Sequence, residues 1–485
     1  MGASKQKEKV KSPITPKSTD FSRWYLDVIR EADLAEYAPV KGCIVFKPHG
    51  YAIWENIQNI LDQKFKETGV ENAYFPLLIP ERFLKREKEH VEGFSPEVAA
   101  VMYAGGERLK EALIIRPTSE TIIYPIIAGW IKSHRDLPLL LNQWANVVRW
   151  EKRPRPFIRT TEFLWQEGHT AHASESEADE RARLMLDVYK DFAESFMAIP
   201  VITGVKSESE KFAGALQTYT VEAMMQDGKA LQFSTSHNLG QNFSKAFGIE
   251  FTDQDGSSRY CWQTSWGLST RTIGALVMVH GDDKGLVIPP KVAPVKVAIV
   301  PIWDEESRTT VGGKVSEVVS ALHNSGLGEV KFDDREDINP GDKYYFWERK
   351  GVPLRIEIGP RDVQKESVVF VRRDTGEKFD VKIKDVAESV KHVLVEIQDE
   401  LYRRALSNLK ENTVSVDDWD DFKRAIRSRK FVLAHWCGDA EAEEKIKEET
   451  KATIRCVPFD QPEEKGRCIL TKKPSKRRVL FAQSY

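Results

Sequence analysis

Residues 149–172 combine many basic side chains with carboxylates, aromatic rings and imidazoles. Five basic residues fall between positions 149 and 159 with two prolines among them, namely Arg149, Lys152, Arg153, Arg155, Arg159, Pro154 and Pro156. Because proline fixes φ and is excluded from the middle of a sheet, the pattern predicts two antiparallel strands joined by a stiff basic loop. Alternation along the second strand places Phe163, Trp165, Glu167 and His169 on one face. These types together indicate a site for a polyanion and a small cationic ligand.

A solvated hairpin, whose charges only keep a sheet edge soluble, is the alternative interpretation. It accounts for the arginines but not for Glu162, Gln166, Glu167 and His169 among aromatic residues. A metal site at His169 and His172 is a further alternative, but no third ligand is evident and a role in a substrate pocket is favoured.

Three sequence blocks carry a resemblance to a known family. Residues 149–169 resemble motif 2 of the class II aminoacyl-tRNA synthetases, in the wording of the prolyl-tRNA synthetase family. The block RPTSETIIYP at 116–125 also resembles that family, and SWGLSTRTIGALVMVHGDDKGL at 265–286 resembles motif 3. The blocks occur in the family's order, and the similarity continues to Tyr485. The sequence does not resemble a P-loop or Rossmann nucleotide-binding protein, because neither phosphate-binding motif, GxxxxGK(S/T) or GxGxxG, occurs.

The resemblance implies an α+β fold of the archaeal and eukaryotic-like type, without an inserted editing domain. We expect a class II catalytic domain with an antiparallel sheet, then an α/β anticodon-binding domain and a small C-terminal α/β domain. The expected boundaries are a disordered tail at 1–18 and domains at 19–288, 289–405 and 406–485. A helix and strand over 49–80 resemble motif 1, which builds the dimer interface in class II synthetases, so the resemblance implies a homodimer.

Local patterns predict several further elements. Asp20 is expected to cap a short helix, and Ser174 with Glu177 to form a capping box. Residues 93–120 are expected to form a loop and a helix that lead into a strand ending at Pro117. Residues 217–238 alternate about Asp227-Gly228 and predict a hairpin. At Thr118, Ser119 and Glu120 an ordinary helix cap is the simpler local interpretation.

The resemblance also implies the reaction: ATP activates L-proline to prolyl-adenylate and pyrophosphate, and the prolyl group then passes to the 3′ end of tRNA(Pro). Neither step needs a protein nucleophile, so positioning and charge stabilisation carry the catalysis. The expected catalytic residues are Arg149 and Arg271, because the planar guanidinium holds phosphate oxygens bidentately.

The residues expected to bind ATP are Arg149, Glu151, Arg159, Thr160, Gln232, Thr235, Ser269 and Arg271, with Glu151 on the same side of a strand as Arg149. Those expected to bind proline are Phe94, Glu97, Thr118, Glu120, Arg149, Trp165, Glu167, His169, Phe212, His237 and Ser265. Magnesium is expected to bridge the phosphates with few protein ligands. Glu348, Arg355 and Arg361 are candidate tRNA contacts, with structural ion pairs as an equal possibility.

The C-terminal cysteines depart from the family's pattern of a structural zinc held by two close cysteine pairs. Cys437, Cys456 and Cys468 each stand without a nearby partner, and no CxxC remains. We therefore expect no bound zinc, with these thiols packed as small apolar residues.

Composition limits the class of protein. The 485 residues are 41% hydrophobic and 30% charged, with a net charge of −2, so contacts to nucleic acid must come from local basic surfaces. No apolar run approaches the roughly 18 residues of a membrane span. Five scattered cysteines argue for a reducing compartment, and the cytoplasm is expected.

Two other functions compete with an active proline enzyme. One is a non-catalytic RNA-binding or regulatory paralogue, and the other is a class II enzyme for another amino acid. Retention of Arg149, Glu151, Arg271 and the Thr-Ser-Glu block at 118–120 argues against the first, and the aromatic pocket argues against the second.

Overall fold

The computed structural model describes residues 13–90 and 98–485. Its helices are α1 Phe21–Glu31, α2 Pro48–Glu67, α3 Glu81–His90, α4 Glu120–Trp130, α5 Glu175–Asp191, α6 Asn242–Phe247, α7 Arg271–His280, α8 Arg308–Asn324, α9 Pro340–Arg349, α10 Pro360–Gln364, α11 Val386–Glu411, α12 Trp419–Arg427 and α13 Ala440–Thr450. Short 3₁₀ turns occur at His134–Asp136 and Ile383–Asp385, and a π turn occurs at Phe192–Phe196.

The strands are β1 Ala35–Tyr37, β2 Ile44–Phe46, β3 Glu71–Asn72, β4 Leu78–Pro80, β5 Ala100–Ala104, β6 Glu107–Ile115, β7 Leu139–Val148, β8 Glu162–His172, β9 Val201–Val205, β10 Gln217–Met224, β11 Ala230–Gly240, β12 Glu250–Thr252, β13 Ser258–Tyr260, β14 Trp262–Ser269, β15 Val297–Pro301, β16 Val330–Phe332, β17 Leu354–Ile358, β18 Ser367–Arg372, β19 Lys378–Lys382, β20 Thr413–Ser415, β21 Phe431–His435, β22 Thr453–Pro458, β23 Gly466–Arg467, β24 Pro474–Ser475 and β25 Arg478–Ala482.

One compact unit comprises residues 37–45, 54–275 and 402–485. Its centre is an eleven-stranded sheet in the order β20-β21-β25-β22-β9-β10-β11-β14-β8-β7-β3. The strands from β9 to β7 are antiparallel to their neighbours. The C-terminal strands therefore continue the same sheet that carries residues 149–172 at its other side.

The predicted basic hairpin is confirmed. β7 and β8 pair antiparallel from Leu139–Ala171 to Val148–Glu162, and residues 149–161 form the loop between them. On one face of β8, Gln166 is fully buried and donates to Asn142 at 2.7 Å. Glu167 and His169 lie on the other face, as the alternation predicted.

The helix predicted between residues 93 and 117 is wrong over its described part. Residues 100–115 form the antiparallel hairpin β5–β6, and Gly105 and Gly106 turn it with φ of 62° and 84°. Two consecutive glycines at positive φ supply a tight turn, and this signal outweighs the helical spacing of the flanking apolar residues.

Cap residues behave differently at two helix starts. Ser174 caps α5 as predicted by accepting from the Glu177 amide, but the Glu177 carboxylate accepts from the Ala173 amide at 3.1 Å rather than from the Ser174 amide. At α4, Ser119 occupies the cap position but its side chain makes no cap hydrogen bond. The hydroxyl donates instead to Glu167. An ordinary helix cap at residues 118–120 is therefore ruled out.

The predicted hairpin at 217–238 is confirmed as β10–β11, and it contains a bulge. Val221 pairs with Ser234 but the next residue, Glu222, pairs with Gln232, so Phe233 is an extra residue on β11. The bulge reverses the alternation at that point. Gln232 consequently faces the same side of the sheet as Thr235 and His237.

A buried ionic cluster joins the C-terminal strands to β10 within this unit. Glu222 is fully buried, and its carboxylate accepts from Lys206 at 2.7 Å and from Arg455 of β22 at 2.9 Å. Burial alone would raise the pKa of Glu222, but the charges of Arg455 and Lys206 hold it below its usual range. Removing one partner from such a cluster costs about 3–5 kcal/mol.

The other compact unit comprises residues 13–36, 46–53 and 276–401. It holds a five-stranded mixed sheet in the order β16-β15-β17-β18-β19, with β15 parallel to β16 and β17. The predicted α/β arrangement with mixed strands is confirmed for residues 297–382. Near the start of the unit, Asp20 caps α1 as predicted.

The disordered tail predicted at residues 1–18 is described only from residue 13 onwards. Residues 1–12 lie outside the described residues. Ile14 is buried and Thr15 donates its hydroxyl to Asp27 at 2.7 Å. Across the described ranges, no helix has both the length and the apolar character needed to span a membrane.

Candidate active site

A cavity of about 260 Å³ opens on the face of the large sheet that carries Glu167 and His169. It lies over β8, β11 and β14 and beside the start of α4. Its walls are Thr118, Glu120, Arg149, Phe163, Trp165, Glu167, His169, Glu210, Lys211, Phe212, Thr218, Gln232, Phe233, Ser234, Thr235, His237, Ser265, Trp266, Gly267, Leu268, Ser269 and Arg271.

Strand register brings side chains from distant positions into rows across the cavity floor. His169 pairs with Ser265, which pairs with His237, which in turn pairs with Thr218. Two residues along β8, Glu167 pairs with Gly267, and Gly267 pairs with Thr235. Cross-strand partners on one face lie side by side, and each two-residue step along a strand covers about 6.7 Å. A third row contains Trp165 and Ser269.

Gly267 leaves the middle of the floor open. A Cβ at this position would meet only the Gln166 carbonyl oxygen, at 3.3 Å, and would project from the floor between Glu167 and Thr235. The glycine thus lets a ligand approach the backbone of β14 closely.

The carboxylate end of the cavity consists of Thr118, Glu120, Glu167 and His169. Glu167 is 3% exposed and accepts from Ser119, from Gln143 at 2.8 Å and from His169 at 3.0 Å. Glu120 accepts from the Thr118 hydroxyl. Two carboxylates therefore face one small space, where a cationic ligand would be stabilised.

The pKa values of the two histidines in the cavity are shifted in opposite directions. Burial alone would lower the pKa of His169, but the hydrogen bond and charge of Glu167, with the charge of Glu120, raise it overall. Because a carboxylate only accepts, Nε2 of His169 carries a proton, and Nδ1 lies 3.2 Å from the Tyr124 hydroxyl. Burial and the nearby His169 lower the pKa of His237 to about 3, so His237 is neutral at physiological pH.

The arginine end of the cavity consists of Arg149 and Arg271 with Gln232, Thr235 and Ser269. Arg149 donates through Nε to the Pro117 carbonyl at 2.9 Å and lies over the rings of Phe163 and Trp165. Arg271 donates through Nε to the Ile158 carbonyl at 3.3 Å. Burial and neighbouring arginines lower the pKa of Arg271 to about 10, which leaves it cationic at neutral pH. This end is suited to an anion.

Comparisons with known proteins assign the chain to a family. Three family models match in sequence order: the tRNA synthetase class II core domain (G, H, P, S and T) at residues 103–280, an anticodon binding domain at 296–392, and the prolyl-tRNA synthetase C-terminal domain at 419–485. A proline–tRNA ligase of Roseiflexus sp. (strain RS-1) is 55% identical over 483 residues, covering 98% of this chain and 100% of that protein. The chain belongs to the prolyl-tRNA synthetase family.

Other relatives agree with this assignment. A proline–tRNA ligase of Porphyromonas gingivalis is 53% identical over 487 residues, covering 97% of this chain and 99% of that protein. The crystal structure of prolyl-tRNA synthetase from Cryptosporidium parvum, complexed with halofuginone and AMPPNP, is 47% identical with a TM-score of 0.93, covering 98% of this chain and 99% of that one. The predicted family, its archaeal and eukaryotic type, its fold class and its ATP-using ligase class are confirmed.

Most residues expected to bind proline in this prolyl-tRNA synthetase family member meet in the one cavity. They are Thr118, Glu120, Arg149, Trp165, Glu167, His169, Phe212, His237 and Ser265. Phe94 and Glu97 lie outside the described residues. Of the residues expected to bind ATP, Arg149, Gln232, Thr235, Ser269 and Arg271 line the same cavity.

Three residues expected to bind ATP lie on the loop rather than in the cavity wall. Arg159 is exposed and its amide closes a turn with Arg155. Thr160 is buried beside the loop's end. The expectation that Glu151 extends the strand face of Arg149 is wrong, because β7 ends at Val148 and the Glu151 carboxylate accepts from the Arg153 amide. Consecutive charges and prolines end the strand earlier than alternation predicted.

Several wall residues were not among the expected site residues. Phe163 could have been included from its place on the strand face of Trp165. Glu210 and Lys211 come from the loop between β9 and β10, where no periodicity or motif points to a site. Lys211 pairs with Glu208 at 2.6 Å.

The metal pair considered as an alternative does not form, because His169 and His172 lie on opposite faces of β8. His172 instead lies 2.8 Å from the Thr170 hydroxyl. Over the described ranges, no three or more His, Cys, Asp and Glu side chains converge in a metal-binding arrangement.

The candidate tRNA contacts lie in the unit with the five-stranded sheet. Glu348 and Arg355 line a cavity of about 130 Å³ together with the basic residues Lys284, Arg372, Arg373 and Lys378. Arg355 also pairs with Glu357 at 2.8 Å, and Glu348 with Lys284 at 3.3 Å. Arg361 is exposed on α10 and is not part of this cavity wall. The structural ion pairs considered from sequence are therefore present.

Proposed function

We propose that this chain joins L-proline to tRNA(Pro) in two steps. ATP and proline form prolyl-adenylate and pyrophosphate, and the prolyl group then passes to the 3′ end of the tRNA. The observation that carries the proposal is the single cavity with two carboxylates at one end and two arginines at the other. Proline carries a cationic imino group next to the carboxylate that must reach the α-phosphate, so this order of charges matches the reacting pair.

The carboxylate end binds the imino group of proline. Glu120 and Glu167 accept from its two N–H groups, and His169 holds Glu167 from the side. Trp165 and Phe212 enclose the ring, with His237 completing the wall. Ser265 Oγ and Trp165 Nε1 are buried atoms with no hydrogen-bond partner among the described residues. Buried donors of this kind are normally satisfied, and the carboxylate of a bound amino acid can accept from them. Phe94 and Glu97 are proposed from the resemblance alone.

The arginine end binds ATP and the developing charge on its α-phosphate. Arg149 lies on the side of the arginine end that faces the carboxylates, since it stacks on Trp165 and the charges of Glu120 and Glu167 act on it. It can therefore hold the proline carboxylate against the α-phosphate. Arg271 neutralises phosphate oxygens from the opposite wall. Gln232, Thr235 and Ser269 line the same end, and Glu151, Arg159 and Thr160 contact ATP from the loop. Positioning and fixed charge carry the chemistry without a protein nucleophile.

Magnesium accompanies ATP and is held chiefly by the phosphates. The wall of the cavity holds three carboxylates, and two of them, Glu120 and Glu167, are engaged at the end that binds proline. A hard cation can bind through phosphate oxygens and water with few protein ligands. It would bridge the phosphates and neutralise the departing pyrophosphate.

The C-terminal domain is proposed to hold no structural zinc. Cys437 Sγ lies 3.4 Å from the Thr471 hydroxyl, a neutral oxygen that is a poor zinc ligand. Cys456 is fully buried in an apolar cluster with Leu480 and Met224, and burial raises the pKa of its thiol. Elemental analysis of protein purified without chelator tests this proposal, and stoichiometric zinc that is lost on Cys437→Ser would overturn it.

The anticodon is proposed to bind at the basic cavity of the second unit. Glu348 and Arg355 supply both signs of charge there, and the four neighbouring basic side chains supply phosphate contacts. Arg361 contributes from the adjacent exposed surface. The domains are proposed at 19–288, 289–405 and 406–485, and the compartment is proposed to be the cytoplasm.

The chain is proposed to act as a homodimer through the segment that resembles motif 1. Tyr74 and Leu78 of this segment are 70% and 41% exposed, which suits a contact surface. Light scattering is expected to give the mass of two chains, and Leu78→Asp to shift it towards one. Leu184→Asp is the matched control, since Leu184 is also 41% exposed but lies on α5.

Pyrophosphate exchange with each amino acid in turn tests the proposed activity. Proline is expected to give the fastest exchange, and addition of tRNA(Pro) to yield prolyl-tRNA. Exchange with no preference for proline, in folded protein, would reject the proposal.

A further inference from the structure

Gln143 is a buried amide directly behind the carboxylate end. It lies on β7 opposite Glu167 in the β7–β8 register and is 1% exposed. It does not line the cavity. Its Nε2 donates to the Glu167 carboxylate at 2.8 Å and lies 3.3 Å from the Ser119 hydroxyl.

The orientation of this amide is determined by the backbone of Phe75. The Phe75 N–H donates to Oε1 of Gln143 at 2.6 Å. A backbone N–H cannot accept a hydrogen bond, so the oxygen of the amide must face Phe75 and the NH₂ group must face Glu167. The orientation follows from the identity of the partner atoms.

Phe75 is itself rigidly held. Its carbonyl accepts from Nη1 of Arg116 at 2.8 Å, and Arg116 is fully buried and also donates to the Asn146 carbonyl at 2.9 Å. The neighbouring Ala73 amide donates to the Asn142 carbonyl at 2.8 Å. The segment after α2 is therefore fastened to β7 on both sides of Gln143.

The two carboxylate oxygens of Glu167 accept hydrogen bonds from different donors. Oε1 accepts from Ser119 and Gln143, and Oε2 accepts from His169. A carboxylate has about four acceptor sites. Three are filled by the protein, so the carboxylate cannot rotate and a limited acceptor capacity remains for a ligand cation.

We propose that Gln143 is a positioning residue of the amino-acid site, which aims the Glu167 carboxylate at the imino group of proline and, through Phe75, makes the segment after α2 part of that site. This inference rests on the proposed function. Without the amide donor, Oε1 would keep one protein partner and Glu167 could turn away from the cavity. The effect should fall on proline and leave ATP binding unchanged, because the arginine end shares no hydrogen bond with Gln143.

Steady-state pyrophosphate exchange with the full-length protein tests the inference. Proline is varied at saturating ATP, and ATP is varied at saturating proline. Gln143→Met keeps the length of the side chain without the donor. It is expected to raise KM for proline about ten-fold or more, the loss typical of a hydrogen bond to a charged group, and to leave KM for ATP unchanged.

Gln166→Met is the matched control. Gln166 is an equally buried, doubly hydrogen-bonded amide on the neighbouring strand, but it lies on the opposite face of the sheet. Its loss is expected to lower thermal stability without a selective change in KM for proline. If Gln143→Met raises both KM values together, or leaves KM for proline unchanged, Gln143 is only structural.

Gln143→Glu tests the inference through the pH dependence of KM for proline, which a purely structural role of Gln143 would not change. At low pH the introduced carboxyl group can be protonated and donate to Glu167, and as pH rises it becomes a second negative charge beside Glu167. The ionised carboxylate cannot donate to Oε1 of Glu167 and repels it, so Glu167 is pushed out of position. KM for proline is therefore expected to rise with pH relative to Gln143→Met. A constant ratio between the two variants across pH would count against the inference.

Ser119→Ala keeps the inference testable should Gln143→Met fail to fold. It removes only one hydroxyl, the other neutral donor to Oε1, and is expected to raise KM for proline selectively as well. An unchanged KM for proline in this variant would overturn the positioning argument. Failure of the wild-type protein to exchange with proline would instead overturn the proposed function, so the two failures are distinguishable.

Discussion

The charged side chains at the two ends of the cavity are held by the protein to different degrees. At the carboxylate end, Glu167 accepts three hydrogen bonds from buried side chains that are themselves held by other strands. At the arginine end, Arg149 and Arg271 each donate through Nε to one backbone carbonyl. Among the described residues, neither forms a salt bridge with a carboxylate. One end is held rigidly before a ligand arrives, and the other keeps terminal guanidinium donors available.

The difference follows from the charge of each proposed ligand. A small amino acid brings one cation and few atoms, so its affinity depends on carboxylates that are already positioned. A triphosphate brings several negative charges and can itself order two arginines through bidentate contacts. The contrast predicts that substitutions at the arginine end mainly lower the rate of the reaction. Substitutions at the carboxylate end should mainly weaken proline binding.

Removal of either arginine is expected to have the largest effect. Arg149→Ala and Arg271→Ala should each reduce the rate of pyrophosphate exchange by about 10²–10³ or more, as does loss of a donor to a developing oxyanion. The fold should persist, since each side chain is held by a single carbonyl. Arg153→Ala, an exposed residue of the same loop, is the control and should retain activity. Pyrophosphate exchange near the wild-type rate in a folded Arg149→Ala variant would contradict the catalytic role of Arg149.

Rejection of smaller amino acids should be weak, because the rigid end cannot exclude what is smaller than proline. Between β8 and β11 the chain forms only α5, the π turn, β9 and β10, with no inserted domain. A missing methylene group typically gives discrimination of only about 10–200-fold. Alanine and cysteine are therefore expected to support measurable exchange, with no clearance of mischarged tRNA by this chain. Rapid deacylation of alanyl-tRNA(Pro) by purified protein would contradict this.

Neutralising Glu167 should affect proline selectively. Glu167→Gln replaces a charged acceptor and is expected to raise KM for proline roughly ten- to a hundred-fold, with little change for ATP. Glu162→Gln on the opposite face of the same strand is the control and should change neither constant. Equal effects of Glu167→Gln on both substrates would remove the distinction between the two ends.

The smallest expected effect is a change of proline affinity with pH. The pKa of His169 is raised above 6.5, and deprotonation removes a positive charge beside Glu167 and Glu120. As pH rises through that pKa, KM for proline should fall a few-fold while KM for ATP stays constant. In folding the sign is opposite: the stabilisation by His169 is complete below pH 6.5 and is lost as pH rises through the folded pKa.

His169→Gln should remove this dependence. His237 is a suitable internal reference, because with a pKa of about 3 it does not titrate in the same range. An unchanged pH profile in His169→Gln would show that another group is responsible.

Local chemistry made much of the site predictable. The face of β8 that carries Trp165, Glu167 and His169 followed from strict alternation, and the β10–β11 hairpin followed from Asp227-Gly228. The helix expected before Pro117 was wrong because two adjacent glycines turn a hairpin there. Glu151 was misplaced because alternation does not reveal where a strand ends, and Lys211 was missed because its loop has no period.

The sequence by itself determined which residue types suit a phosphate and which suit a cation, since these follow from side-chain chemistry. Only the tertiary structure decided how they meet. The extra residue Phe233 turns Gln232 onto the face of Thr235 and His237, which depends on how β11 pairs with β10. Likewise, the Phe75 amide orients Gln143, and Gln143 holds Glu167, although these residues are far apart in the chain. Such contacts form only when strands from separate segments pair, because hydrogen bonds depend on distance and direction in space.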